Sequence, residues 1–291
     1  MISVVIMIYK NFDSVEKTLK SVLSQSYKDI EIIISDDCSP GLSYAMLERY
    51  LIKCQEKGVK AVINQNAINL GTVKHLNKII SLMSGEILCP LSAGDEFYGS
   101  DVLHKLATYF QSSGCLICTA QRIVLQDKKK IVVPTYKVLS LLDKPLMALN
   151  YMAIHGNFIS GACTYYKRDM FEKYGKFDEQ FRLMEDFPYY ARYLYTGGII
   201  SYLEFPTIRY ELGGVSTNKV RNTTYYKDYC DFWKLIKEKY MGQLNRFPRR
   251  CVKYRCDKYK AQSILNKIFV RIRYFDVFLY LGISNFIGER C

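Results

Sequence analysis

Leu88-Cys89-Pro90-Leu91-Ser92-Ala93-Gly94-Asp95-Glu96-Phe97 joins a short apolar run to a small-residue turn that delivers an acidic pair. In open α/β sheets, ligands collect beyond the carboxyl ends of the strands. A carboxylate there, with Ser92, Ala93 and Gly94 leaving room beside it, can take a hard divalent cation that carries phosphate oxygens. Asp is equally a common helix cap. Two more acidic turns stand far away in the chain. Asp36-Asp37 follows the apolar run Ile30–Ser35, and Glu185-Asp186 opens a segment with Pro188 in its first turn. The partial positive charge of a helix N-terminus favours ionised carboxylates.

The pattern between these turns says what must position them. Ile2–Tyr9 is almost continuously apolar, as expected for a strand buried on both faces of a parallel sheet. Val15, Leu19, Val22 and Leu23 recur at helical spacing after a cap at Asp13 or Ser14. A second strand at Ile30–Ser35, a helix over about Leu42–Lys57, a third strand at Val59–Asn64 and a helix over Thr72–Met83 lead to the Leu88 strand. Strands alternating with helices predict a doubly wound, mainly parallel α/β sheet. Beyond a helix at Asp101–Gln111 the pattern changes. Gly114–Gln121, Ile123–Gln126 and Ile131–Val133 read as strands with a hairpin. Phe158–Lys167 reads as a strand interrupted by Gly161, and a short helix runs from Asp169 to Gly175. Phe187–Tyr195 reads as a helix, and Ile199–Leu203 and Thr207–Glu211 as strands. Tyr136–Met152 carries no clear period.

At 291 residues, 49% apolar and 24% charged, the chain can bury one large core or a core plus an appendage. Ten cysteines form no framework, and Met1 leads straight into a strand without a leader pattern, so reduced thiols in a cytosolic setting are expected. Cys115-Leu-Ile-Cys118 lies in an apolar run and reads as buried strand rather than as a metal site. The net charge of +13 is uneven: from Lys219 onward there are 17 basic and 6 acidic residues, against 24 and 22 before it. A nearly neutral body and a basic tail therefore divide near residue 217.

In their order and spacing, these features resemble the inverting nucleotide-sugar transferases of glycosyltransferase family 2, which have the GT-A fold. The first strand ending in Tyr9, the Asp36-Asp37 turn, the loop Asn69-Leu-Gly71, the Gly94-Asp95 turn, Tyr174-Gly-Lys-Phe-Asp178 and the Glu185-Asp186 pair carry the likeness over about residues 1–217. The resemblance implies a catalytic domain over 1–217, with a nucleotide-binding half (1–98) and an acceptor half (99–217). Tyr9, Asp36, Asp37, Asn69, Gly94 and Asp95 would bind the donor. Asp37 would accept from a base imide N–H and Asp36 would order the turn, although an Asx turn accounts for the pair as well. Tyr9 offers a flat face to a nucleobase, or is core. Asp95 would hold Mn2+ or Mg2+ on the diphosphate. Asp186 would take the proton of the acceptor hydroxyl, with Glu185 assisting; the alternative is a helix cap. The usual acidic triplet is incomplete, since Ser92 and Gly94 stand where the family also places Asp. Arg209–Asn218 reads as a polar lid, with Arg209 or Ser216 near phosphate.

The tail from 218 reads as helical: Tyr225–Tyr240, then Arg250–Asn266 continuing into Lys267–Ile287. Arg271, Arg273 and Asp276 interrupt its aromatic run, so it is unsuited to span a bilayer. Residues 219–291 can lie on an anionic membrane surface, pack on the body, or pair in a homodimer. The partners implied by the resemblance are a nucleoside-diphosphate sugar, UDP-linked on the family pattern, and a glycan or lipid-linked acceptor at the inner membrane face. The rivals are a nucleic-acid-binding protein gripping phosphates through the tail and a catalytically inactive binding subunit. The neutral body argues against nucleic acid.

Overall fold

The computed structural model describes residues 1–126, 129–211 and 222–286. The first half runs β1 (Ile2–Ile8), α1 (Val15–Leu23), β2 (Ile30–Asp36), α2 (Tyr44–Glu56), β3 (Lys60–Gln65), α3 (Thr72–Leu82) and β4 (Ile87–Ser92). It continues through a short β5 (Glu96–Phe97), α4 (Val102–Ser113), β6 (Ile117–Gln126) and β7 (Lys129–Val133). Then follow α5 (Tyr136–Leu139), α6 (Pro145–His155), β8 (Thr164–Lys167), α7 (Arg168–Tyr174), α8 (Asp186–Tyr195) and β9 (Ser201–Tyr210). Four helices end it: α9 (Thr223–Leu235), α10 (Arg246–Lys260), α11 (Ile264–Arg273) and α12 (Phe275–Phe286).

The strands form one sheet in the order β3-β2-β1-β4-β8-β6-β9-β5, with β7 on β6. β1 is parallel to β2 on one side and to β4 on the other, and the ladders hold Ile8 level with Asp36 and Met7 level with Ser92. Three strand ends are thereby fixed at one height, which brings the turns after them to a common rim. β8 runs antiparallel to both β4 and β6. That reversal carries the segment before it, 156–163, to the same rim.

Apolar burial explains the layers. Val4, Ile6, Ile32 and Ile34 point to one face, against α1, α2 and α4, while Val5, Ile33 and Leu88 point to the other, against α3, α6 and α8. Each such side chain removed from water contributes roughly 1.5–3 kcal/mol, so the two-sided apolar pattern of β1 and β2 holds them in the sheet interior. In α3, Val73, Leu76, Ile79 and Ile80 are all buried, as their spacing predicts.

Several elements differ from the sequence expectation. Of Phe158–Lys167, only Thr164–Lys167 is strand, because Gly161–Cys163 tightens into a 3-10 turn. The two strands expected at Ile199–Leu203 and Thr207–Glu211 are one strand, β9, whose register with β6 shifts around Gln121 and Pro206. A proline has no N–H to give the ladder, and the irregularity accommodates it. The continuous helix expected after Arg250 is three helices. Ser263 begins α11 afresh by accepting the Asn266 amide, and Tyr274 breaks it from α12. Phe232, Trp233, Val252 and Cys256 of α9 and α10 share a buried cluster with Leu149, Met152, Phe187 and Ala191 of α6 and α8. Cys118 is buried within β6, and the nine cysteines among the described residues are all thiols.

Candidate active site

The turn after β4 is built by α1. Thr18 Oγ1 accepts the Gly94 amide at 2.9 Å and donates to the Asp95 carbonyl at 2.8 Å. Gly94 has φ +113, a left-handed backbone that favours glycine, and the Glu211 carboxylate lies against its Cα. Asp95 Oδ1 accepts the Glu211 amide at 2.9 Å. Its Oδ2 is, among the described residues, the one buried carboxylate oxygen with no partner. Burial pushes the Asp95 carboxyl up to about 6, against the pull of that amide and of Arg122.

An orphaned buried carboxylate oxygen beside the Glu211 carboxylate suits a divalent cation. Among the described residues no group of three or more His, Cys, Asp or Glu is placed to hold a metal. An ion at Asp95 would therefore draw much of its coordination from ligand phosphates. The Glu211 carboxylate is itself paired with Lys17 at 2.7 Å.

The turn after β2 is tied inward. Asp36 is fully buried and accepts from the Ser39 amide and from Gln65 Nε2. Asp37 Oδ1 accepts from Leu70 N at 2.8 Å and Asn66 Nδ2 at 2.9 Å, and its Oδ2 accepts from Gly71 N at 2.9 Å. Asp37 is thus a clamp on the loop 66–71. Asn69 Nδ2 donates to the Asp37 carbonyl, and Asn69 Oδ1 accepts from Arg182 at 2.6 Å. Arg182 lies three residues before Glu185, so hydrogen bonds run from one acidic turn to the next. Tyr9 stands at the same rim, 44% exposed, with one ring face under Lys10. Lys10 and Cys38 both take left-handed backbone, and Lys10 N donates to Ser39 Oγ, which joins the turns after β1 and β2.

The Glu185-Asp186 pair opens α8 and faces a cavity of about 320 Å³. Met7, Ser92, Arg122, Asn157, Gly161 and Tyr225 are among its other walls. Asp186 Oδ1 accepts the Phe187 amide at 2.6 Å, and Oδ2 accepts Asn157 Nδ2 at 2.9 Å. A Cβ on Gly161 would sit 3.2 Å from Asp186 Oδ2 and 3.5 Å from Glu185 Oε1, so the glycine leaves open space against both carboxylates. Burial raises both carboxyls, and mutual repulsion lifts Glu185 further. The two titrate as a pair. With two N–H donors on Asp186, the retained proton belongs on Glu185 and the charge on Asp186.

Of the sequence-predicted residues, Glu185 and Asp186 line this cavity, whereas Tyr9, Asp36, Asp37, Asn69, Gly94 and Asp95 stand outside its walls. Arg122 of β6 spans the gap. Its positive charge acts on both Asp95 and Asp186, opposing the upward push of burial. Nη1 donates to Ser160 Oγ at 2.7 Å, the guanidinium stacks on Tyr210 at 4.3 Å, and Nε is buried without a partner. Sequence reading missed Arg122, Asn157, Gly161 and Glu211. It also missed Asp228 of α9, whose Oδ2 accepts from Arg182 N and Leu183 N and so fixes the approach to the acidic pair. Arg209 instead lies over Tyr98, and Ser216, with residues 212–218 of the expected lid, lies outside the described residues.

The sequence profile of Glycosyl transferase family 2 matches residues 3–175, more than half of the chain. The chain belongs to that family. A Haemophilus influenzae glycosyltransferase of uncharacterised activity is 23% identical over 231 residues, covering 76% of this chain and 68% of its own length. Among solved structures, S. aureus TarS 1–349 in complex with UDP-GlcNAc superposes with a TM-score of 0.66 at 13% identity, over 95% of this chain and 81% of that one. The mannosyltransferase PcManGT from Pyrobaculum calidifontis, in complex with GDP-Man and Mn2+, gives a TM-score of 0.59 at 14% identity, over 99% and 88%. At these identities the likeness establishes the fold, which is GT-A. This family 2 glycosyltransferase therefore sets the ends of its parallel strands β1 and β4 and an acidic pair at the start of α8 around one cavity.

Proposed function

We propose that the chain transfers one sugar from a nucleoside diphosphate, uridine-linked, to a glycan or lipid-linked glycan acceptor with inversion at the anomeric carbon. The observation that carries this reading is the placement of Glu185 and Asp186 in one cavity with Ser92 and Arg122. Asp186, held by Phe187 N and Asn157, takes the acceptor hydroxyl proton. The hydroxyl oxygen bonds to the anomeric carbon as the carbon–oxygen bond to the diphosphate breaks, and the bonding electrons leave with the nucleoside diphosphate. Glu185 carries the shared proton and orients the acceptor. Tyr9 and the Asp37 turn lie on the base side. Asp95 and Glu211 are the carboxylates that would hold Mn2+ or Mg2+, which supplies charge neutralisation to the departing diphosphate when bound. Arg122, with an unpaired N–H, turns its charge toward the same region.

The tail supports work at a lipid surface. Ile264, Leu265, Phe269 and Ile272 are all more than 60% exposed along α11, while Val270 on its other side is buried. Lys267, Arg271 and Arg273 flank that apolar strip. Among the described residues no helix is long and apolar enough to cross a membrane. The chemistry suits an anionic membrane surface, entered shallowly.

Asp186→Asn tests the mechanism. Transfer is expected to fall by about 100-fold or more with UDP binding unchanged. Full activity in that variant removes Asp186 from the reaction.

A further inference from the structure

Among the described residues, three buried side-chain polar atoms lack a hydrogen-bond partner, and two of them belong to the site: Asp95 Oδ2 and Arg122 Nε. Buried polar groups are nearly always paired, so an orphan of each sign points to a ligand that satisfies both. A bare carboxylate oxygen asks for a cation, and a bare guanidinium N–H asks for an anionic oxygen. We propose that Arg122 grips the sugar-side phosphate of the donor and neutralises the charge that gathers there as the sugar leaves. This rests on the transfer reading above and assigns it a further catalytic residue.

A break in β6 aims Arg122 at this task. The pairing of β6 with β9 slips on either side of Gln121, opposite Pro206, and such an irregularity re-aims the side chains beside it. Arg122 lines the cavity that also holds Ser92, Glu185 and Asp186. Its plane is fixed by Ser160 Oγ, which accepts from Nη1 at 2.7 Å, and by the Tyr210 ring at 4.3 Å. That hydrogen bond goes to a neutral hydroxyl, so it leaves the positive charge available to a ligand. An inverting displacement sets the attacking hydroxyl and the departing oxygen on opposite sides of the anomeric carbon. With the acceptor at Asp186, the departing oxygen faces the turn after β4, where the Ser92 carbonyl accepts the Asp95 amide at 2.9 Å. The charge of Arg122 reaches both ends of that line, drawing the Asp95 and Asp186 carboxyls downward. The turn itself is short of carboxylates: Ser92 and Gly94 are neutral, and Glu211 is already paired with Lys17. A guanidinium held in place supplies positive charge there without reorganising during the reaction. As the anomeric carbon–oxygen bond breaks, its electron pair settles on the phosphate oxygen. Arg122 donates a hydrogen bond to that oxygen and keeps its proton, and its planar fork can serve two phosphate oxygens at once.

Calorimetric titration of the full chain in the presence of chelator, with UDP and UMP as separate arms, tests this. UMP lacks the sugar-side phosphate. Arg122→Met keeps a stem against Tyr210 and removes the charge. The expected result is UDP affinity lower by about 10-fold or more, with UMP affinity unchanged. Arg122→Lys keeps the charge and loses the fork, so UDP should weaken by a smaller factor, again with UMP unchanged. UDP affinity equal to the parent's in Arg122→Met overturns the proposal. So does an equal loss for UDP and UMP in both variants, which would make Arg122 a prop for the cleft. A parent chain that binds neither nucleotide overturns the transfer reading and this proposal with it, whereas parent binding that both variants leave intact strikes Arg122 alone.

Discussion

Asn157 donates its side-chain amide to Asp186 Oδ2 at 2.9 Å, joining the segment before β8 to the first residue of α8. This bond favours the ionised carboxylate. Asn157→Ala is expected to raise the carboxyl's pKa further, since it removes a hydrogen bond made to the charged form. The acid limb of the kcat profile should move to higher pH. A pH–rate profile with an unmoved limb would show that Asn157 has no hold on the base.

Glu185 costs stability. Its carboxyl binds a proton more tightly when folded than when unfolded, so the folded state holds more protons and stability falls as pH rises through the folded value. Glu185→Gln removes that penalty. Melting curves should show the variant more stable by on the order of 1–2 kcal/mol near pH 9 and close to the parent near pH 5. A gain of equal size at both pH values would contradict the repulsion between the two carboxyls.

Asp95→Ala should bring donor affinity measured with Mn2+ down to the value measured with chelator. In the parent chain the Mn2+ enhancement is expected to weaken as pH falls through about 6, where a proton competes for the Asp95 carboxylate. Calorimetric titration of UDP at two pH values, with and without Mn2+, checks both. Enhancement that survives in the variant would move the metal elsewhere.

Phe269→Glu combined with Ile272→Glu should cut binding to anionic vesicles by more than about 10-fold, because each buried apolar side chain is worth roughly 1.5–3 kcal/mol. Both positions are well exposed, so thermal stability should not change. Sedimentation with vesicles of 30% anionic lipid measures the effect. Vesicle binding unchanged by the pair, or self-association lost with it, would give the strip to a second copy of the chain.

The first half of the fold was legible because its strands β1, β2 and β4 are buried on both faces. Ile2–Ile8, Ile30–Asp36 and the Leu88 strand announce themselves as apolar runs, and α3 as a period of Val73, Leu76, Ile79 and Ile80. The region 136–155 was not legible. α6 packs on α8 and α10 through Ala148, Leu149, Met152 and Ala153, but the half-exposed Leu146 and Met147 are apolar too, and helical period vanishes when no face is polar. Glu185 and Asp186 could be read from their pairing before a helix. Arg122 could not, being one cation within a strand whose partners, Ser160 and Tyr210, lie far along the chain. Asp228 was hidden for the same reason, as its partners Arg182 and Leu183 are 46 and 45 positions away.

The ladders that hold Ile8 level with Asp36, and Met7 level with Ser92, have a consequence for divergence. Backbone pairing is indifferent to side-chain identity, so the vertical alignment of these chain reversals survives wholesale replacement of the residues around them. Insertions at the opposite edge, where α1–α4 hand back to their strands, lengthen connectors without moving the working edge. Descendants of such a scaffold are free to exchange the helices of the second half while inheriting an unaltered strand rim.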